Sequence, residues 1–180
     1  TLFVQDLTEM NDDDNNGASD FAATLSWHSF SELVLYPWGH CTGCETPDHA
    51  QLIYHGDKMA EMTRDANIQS SDLYPTTGDY CDWQYGLHDS YCYTMEIGTA
   101  FHQLPEEINH IAVRNLGVPF YIAEVGDNPR ERANIGLQEV QKTQWIVSAD
   151  DLVIPESGPI PITMCIDPNF PYTNEENYSL

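Results

Sequence analysis

Short runs of apolar and aromatic residues alternate along the chain with stretches in which apolar residues recur every three or four positions. Runs with the length and composition of buried strands lie at 21–30, 33–38 and 90–97. Helical spacing is found at 3–10, 46–63, 105–116 and 120–132. In the second of these segments it places Leu52 and Met59 on one face. This alternation predicts an α/β fold with a mixed, mostly parallel sheet flanked by helices.

Start and stop signals locate several of these elements. The segment 46–48 (Thr-Pro-Asp) combines a hydroxyl cap, a proline and an acidic residue of the first helical turn. Pro105 opens the next helix, and Pro119 is expected to kink or end it. Residues 67–78 are predicted to form a loop. The helical pattern at 3–10 has no start signal, so we expect the fold to be incomplete at its N-terminus.

The pattern changes near Asn134. Residues 1–133 carry the alternation of strands and helices, whereas 134–180 contain short β-like pieces separated by prolines and end in a polar tail. We interpret 1–133 as part of one α/β domain. The remainder, 134–180, is expected to be a linker or the start of an accessory β domain.

Composition excludes several classes of function. Hydrophobic residues make up 41% of the 180 residues, which is too many for a disordered chain, and no apolar run approaches the roughly 20 residues that span a bilayer. The formal net charge of -23 repels the phosphate backbone, so nucleic acid is not an expected partner. The charge is typical of a secreted protein or one from a saline habitat, and we expect a monomer.

Two groups of residues suggest chemistry without deciding it. Cys41 and Cys44 form a C-x-x-C motif with no second pair at zinc-finger spacing, which is consistent with a short disulfide or with free thiols. Asp12, Asp14 and Asn16 follow the first half of a calcium-binding loop, but Ala23 stands where the bidentate glutamate belongs. Either a weak calcium site or a solvated acidic turn fits this loop.

Three further residues become informative only together. His28 ends a predicted strand, Tyr74 lies in a Gly/Thr/Pro-rich loop, and Glu96 stands in an apolar strand. A carboxylate is costly to bury unpaired, so Glu96 should be ion-paired, face solvent or act as a general base. Taken singly, His28 and Tyr74 have ordinary structural interpretations.

Four segments resemble the zinc metallocarboxypeptidases of the carboxypeptidase A and T type. Residues 28–38 (HSFSELVLYPW) follow the family's second zinc signature, with an aliphatic residue and an aromatic-Pro-aromatic ending at the expected positions. Residues 72–86 resemble the tyrosine-bearing loop, and 93–98 (YTMEIG) the strand that carries the catalytic glutamate. With a Phe-x-Leu-Pro-like segment at 101–105, the resemblance extends from residue 21 to about residue 132. It implies that 1–133 are the C-terminal part of a catalytic domain.

The resemblance implies a role for each matching residue. Glu96 would be the general base that takes a proton from zinc-bound water and passes it to the leaving amine. His28 would be a zinc ligand, and Ser29 and Phe30 would lie against the substrate backbone. Tyr74 would close over the substrate and bind its terminal carboxylate or scissile amide. The substrate would be the C-terminus of a peptide or protein.

The same resemblance places a specificity pocket beside Glu96. Thr94 lies two residues earlier on the same strand face, and Thr76, Asp79 and Cys81 fall on the loop that walls the pocket. An ionised Asp79 favours a C-terminal Lys or Arg. Leu35, Leu73 and the sulfur of Cys81 instead favour apolar residues. We therefore predict that the pocket accepts both basic and apolar C-terminal residues. The alternative is that Asp79 only caps a turn.

The chain also departs from the family pattern. Zinc in these enzymes takes a His and a Glu from an H-x-x-E motif, and none of the seven histidines here precedes a glutamate at that spacing. The arginines that bind the substrate carboxylate and the oxyanion are missing as well. We therefore expect the 180 residues alone to be inactive. The alternative is a truncated non-catalytic homologue that binds peptide ends or is a relic.

Overall fold

The computed structural model of the chain describes residues 2–13, 15 and 19–144. The β-like pieces predicted after residue 144 lie outside the described residues, as do Asp14 and Asn16 of the predicted calcium loop. In chain order the elements are α1 (Leu2–Glu9), β1 (Ala23–His28), β2 (Leu33–Tyr36), α2 (His49–Thr63), β3 (Ala66–Gln69), α3 (Ser70–Leu73), α4 (Tyr80–His88), β4 (Tyr91–Glu96), α5 (Pro105–Asn115), α6 (Gly117–Val125) and α7 (Pro129–Gln144).

The four strands form one mixed sheet in the order β1-β4-β2-β3. β4 pairs in parallel with β1 and antiparallel with β2, and β2 pairs in parallel with β3. The predicted mixed, mostly parallel sheet is therefore confirmed. The register places Glu96 between His28 on β1 and Leu33 on β2.

Strand β4 separates the core from the opposite face of the sheet. Because side chains alternate along a strand, Tyr91, Tyr93 and Met95 share one face, and all three belong to the hydrophobic core with Leu52 of α2 and Val118 of α6. Cys92, Thr94 and Glu96 therefore point the other way. This alternation brings Glu96 to a face that the core residues do not fill.

The predicted strands are present, but β1 is less buried than its composition suggests. Its residues are half-buried from Ala23 to Ser26 and exposed at Trp27 and His28. β1 is at the edge of the described sheet, with β4 as its only strand neighbour there. His28 is consequently open to solvent on one side.

Helix α2 has the predicted buried face but a different start. Thr46 does not cap the helix; the N-cap residue is Asp48, whose carboxylate makes no capping bond. That carboxylate accepts hydrogen bonds from Arg130 at 2.9 and 2.7 Å and from the Tyr85 hydroxyl at 3.0 Å. The acidic residue therefore serves a tertiary contact instead of the helix end.

The predicted loop at 67–78 was wrong in its first half, which contains the end of β3 and all of α3. Polar residues such as Asn67 and Gln69 hide this short strand, because its burial comes from pairing with β2 and not from apolar side chains. Helix α4 was also not predicted. It begins where Asp79 caps the N–H groups of Cys81 and Asp82 at 2.8 and 3.1 Å.

The helices after β4 follow the proline signals only in part. Pro105 opens α5 as predicted, and α5 ends at Asn115, before Pro119. Pro119 sits in the first turn of α6, where a proline is tolerated. The single helix predicted over 120–132 is two helices, because Asn128 caps the start of α7 through the Glu131 N–H at 3.1 Å. α7 continues through residue 134 to Gln144.

Two disulfides, Cys41–Cys44 and Cys81–Cys92, are present among the described residues. The disulfide interpretation of the C-x-x-C motif is thus confirmed over free thiols. No helix in the described part of the chain is both long and apolar enough to cross a membrane.

Candidate active site

Glu96 is the last residue of β4 and is only 8% exposed. Its Oε1 lies 3.9 Å from Nδ1 of His28, its partner on the parallel strand β1. Burial raises the pKa of Glu96, and the His28 imidazole offsets part of this rise. A buried carboxylate with a raised pKa and one cationisable neighbour has the properties of a general base.

His28 combines exposure with orientation. Its side chain is 53% exposed, and its Nε2 lies 2.9 Å from the hydroxyl of Ser26, two residues earlier on the same face of β1. The other ring nitrogen, Nδ1, faces Glu96. An imidazole oriented through one ring nitrogen can use the other as a metal ligand.

A cavity of about 80 Å³ opens beside these two residues, and we call it the Glu96 cavity. It brings together six of the residues that the sequence predicted for the site: His28, Tyr74, Thr76, Asp79, Thr94 and Glu96. Three more lining residues were not predicted as site residues: Ser26, Ser70 and Tyr80. Leu35 and Leu73, which were predicted to favour apolar substrates, complete the lining.

Of the three residues that were missed, only Ser26 carried a usable signal. It lies two positions before His28, so strand alternation places it on the same face. Ser70 and Tyr80 reach the cavity because of α3 and α4, neither of which the sequence pattern predicted.

The sequence left open whether Asp79 is a turn cap or a residue of the pocket, and the structure places it at both positions. Its Oδ1 caps α4, and the residue also lines the Glu96 cavity. Tyr74 follows α3 in an extended conformation and is 60% exposed, which places it at the cavity mouth.

Cys81 lies behind the cavity wall. It is disulfide-bonded to Cys92 and 4% exposed, and its Sγ lies 3.6 Å from the Thr94 hydroxyl. Cys81 is not among the residues that line the cavity, so it presents a buried disulfide to Thr94 and not a free thiol to the pocket.

Ser29 and Phe30 are not brought into the Glu96 cavity. Their connecting peptide bond is cis, and the ring of Phe30 packs edge-on against Phe101 with the centroids 4.8 Å apart. Ser29 lines a second, more open cavity of about 450 Å³ together with Phe101 and Ile108. The position of these residues relative to a substrate stays a prediction.

The resemblance implies a zinc ion, and the described residues supply only part of its ligand set. A catalytic zinc takes three protein ligands and a water. Within residues 2–13, 15 and 19–144, no group of three or more His, Cys, Asp or Glu side chains is placed to hold a metal ion. His28 contributes a single imidazole, so the described residues supply one of the three protein ligands of a catalytic zinc site.

The predicted calcium loop is described only in part. Asp12 and Asp20 lie within the described residues, and Asp20 Oδ2 accepts a hydrogen bond from the N–H of Asp13 at 2.9 Å. Asp14 and Asn16 lie outside. Calcium binding therefore stays a prediction.

Comparison with known proteins agrees with the resemblance. The chain matches the family model described as zinc carboxypeptidase over residues 4–116. It is 33% identical over 86 residues to a zinc carboxypeptidase of Saccharothrix mutabilis subsp. capreolus, covering 45% of this chain and 20% of that protein. It is 31% identical over 85 residues to carboxypeptidase A1 of Bos taurus, covering 43% of this chain and 20% of that protein.

The fold is shared with solved structures. The crystal structure of thrombin activatable fibrinolysis inhibitor superimposes with a TM-score of 0.52 at 24% identity, covering 59% of this chain and 29% of that one.

The chain spans 20% of the length of the Saccharothrix zinc carboxypeptidase and 20% of the length of bovine carboxypeptidase A1. The family match nevertheless covers more than half of this chain and includes Tyr74, Glu96 and His28. The chain belongs to the zinc carboxypeptidase family.

Proposed function

We propose that this chain contributes the general base and the specificity pocket of a metallocarboxypeptidase, which hydrolyses the C-terminal peptide bond of peptides or proteins. One observation carries the proposal. Glu96, buried at the end of β4, lies beside His28 and opens into the same cavity as Tyr74 and Thr94.

The chemistry follows from this arrangement. The Glu96 carboxylate accepts a proton from the water that attacks the peptide carbonyl and returns it to the leaving amine. Its burial supports this role, because a raised pKa brings the carboxylate closer to the basicity that proton transfer requires. Tyr74 at the mouth covers the bound peptide end. His28 would contribute one imidazole ligand to a zinc ion, which would supply Lewis-acid activation of the attacking water.

The cavity lining supports mixed specificity for the C-terminal side chain. Leu35 and Leu73 provide apolar surface, the hydroxyls of Ser26, Thr76 and Thr94 provide hydrogen bonds, and Asp79 provides a negative charge. Lysine combines an apolar stem with a cationic end and suits such a lining, as do medium-sized apolar residues.

Two disulfides among the described residues support the proposal that the protein is secreted, because structural disulfides persist in oxidising compartments. The division into a catalytic part ending at 133 and a separate segment 134–180 also stays a proposal. It rests on the change of sequence pattern.

The test replaces Glu96 by glutamine in the protein expressed from its complete reading frame. We expect kcat for release of the C-terminal residue from an N-acylated dipeptide to fall by about 100-fold or more, since glutamine cannot accept the proton. Zinc content, measured by atomic absorption, should stay unchanged. His28→Ala should instead reduce the zinc content.

Glu106→Gln is the matched control, because Glu106 is exposed on α5 and receives the same chemical change. It should retain full turnover. Undiminished turnover in Glu96→Gln would contradict the assigned role. Absence of turnover in the wild-type protein, together with measurable binding of C-terminal peptides, would favour the non-catalytic homologue.

A further inference from the structure

A short loop, residues 38–44, lies directly behind one wall of the Glu96 cavity and is closed by the Cys41–Cys44 disulfide. We call it the disulfide loop. The wall itself is the segment 69–76. The residues of this segment that line the cavity are Ser70, Leu73, Tyr74 and Thr76.

Gln69 connects the disulfide loop to the wall. Its side-chain amide nitrogen donates to the main-chain oxygens of Cys44 at 2.9 Å, Trp38 at 3.1 Å and Cys41 at 3.4 Å. Gln69 is 5% exposed, so water has little access to replace these acceptors. The three carbonyls thus converge on one amide, and Gln69 immediately precedes α3.

Main-chain hydrogen bonds hold the same loop on two sides. The N–H of Thr76 donates to the oxygen of Gly39 at 2.9 Å. On the other side, the Asp82 carboxylate accepts from the N–H groups of Gly39 and His40 at 2.7 and 3.0 Å. A Cβ atom at position 39 would come within 2.9 Å of the Thr76 hydroxyl, so the loop and the wall are in close contact.

The two disulfides differ in accessibility. Cys41 and Cys44 are half-buried and flank two exposed residues, whereas Cys81 and Cys92 are 4% and 0% exposed. Thiol–disulfide exchange requires access of the attacking thiolate to a sulfur atom. A reductant will therefore reach Cys41–Cys44 first.

We propose that the Cys41–Cys44 disulfide is a redox-sensitive positioning element of the specificity pocket. This inference rests on the proposed function for its consequence in catalysis. A dithiol breaks the S–S bond by donating two electrons and two protons, leaving two thiols in the protein and an oxidised cyclic disulfide as the other product. The opened loop then releases two of the acceptors of Gln69, and the wall 69–76 loses its fixed position.

The effect of the disulfide on the position of the wall can be tested without an activity assay. In the variant Cys41→Ser/Cys44→Ser, the amides of Ser71 and Thr76, which donate to carbonyls of the disulfide loop, should exchange with deuterium at least about fivefold faster. The amide of Tyr93 in the core of β4 should be unaffected. Unchanged exchange at both wall amides would refute the positioning role.

The consequence of opening the loop for catalysis is expected in KM and not in kcat. The double serine variant should raise KM for an N-acylated dipeptide roughly twofold to tenfold, the range expected for losing one hydrogen bond, while kcat stays within about twofold because Glu96 does not move. A loss confined to kcat, or no change in either constant, would overturn the inference. Failure of the proposed function looks different, since the wild-type protein would then show no turnover at all.

A double-mutant cycle shows whether the effect passes through Gln69. Gln69→Met alone should raise KM by a similar factor, and the triple variant should be little worse than either. Additive effects would show that the disulfide does not act through Gln69 and would refute that route.

Reduction of the wild-type protein with dithiothreitol completes the test. Alkylation and mass spectrometry should find Cys41 and Cys44 labelled while Cys81 and Cys92 remain paired, and KM should rise as in the serine variant. Labelling of the buried pair first, or an unchanged KM after selective labelling, would refute the proposed redox sensitivity.

Discussion

The double involvement of Asp79 leads to a prediction that separates helix capping from substrate selection. The carboxylate accepts hydrogen bonds from the N–H groups of Cys81 and Asp82 through Oδ1 and also lines the Glu96 cavity. Asp79→Asn keeps the capping oxygen but removes the charge. Asp79→Ala removes both, so the pair of variants distinguishes the two roles.

The expected magnitudes follow from these contacts. Loss of an N-cap side chain costs about 1 kcal/mol of unfolding free energy, so Asp79→Ala should be destabilised by about that amount. Asp79→Asn should lose less, because only the interaction of the charge with the helix dipole disappears. A charge pair in a solvated cavity contributes about 1 kcal/mol, so both variants should lower the preference for a C-terminal lysine over phenylalanine about fivefold.

Two assays measure these effects. Urea unfolding followed by circular dichroism gives the free energy of unfolding, and kcat/KM for N-acylated dipeptides ending in lysine or phenylalanine gives the preference. If Asp79→Asn keeps the wild-type preference while Asp79→Ala is destabilised, Asp79 is only a cap. If neither variant loses stability, the capping interpretation fails.

Two further predictions concern buried polar groups of the core. Burial lowers the pKa of His55 below its usual 6.5, so the folded state binds fewer protons than the unfolded one; the resulting stability is complete above about pH 6.5 and is lost as the pH falls through the folded pKa. Urea unfolding between about pH 5 and about pH 7.5 should show a smaller pH dependence for His55→Gln, and an equal dependence would contradict the assignment. Arg130→Met should lower the unfolding free energy by about 2 kcal/mol, because it removes two hydrogen bonds to the buried carboxylate of Asp48. Arg132→Met, which breaks a surface pair, should have little effect, and equal losses in the two arginine variants would contradict this account.

Local patterns determined the parts of the site that lie on regular elements. Strand alternation placed Thr94 and Glu96 on one face of β4, and the apolar run at 21–30 placed His28 at the end of a strand. Helical spacing likewise predicted the buried face of α2, including Leu52 and Met59. These features repeat within a few residues, so the sequence alone displays them.

Contacts between distant parts of the chain decided the rest. Ser70 and Tyr80 reach the Glu96 cavity because β3 pairs with β2 and because Asp79 starts α4, and neither short element has an apolar repeat of its own. Local pattern also did not determine that Cys81 pairs with Cys92. Nor did it determine that Arg130 of α7 binds the Asp48 carboxylate. The tertiary structure decided them because the pairing of polar groups depends on which elements pack together, and not on the spacing of residues along one element.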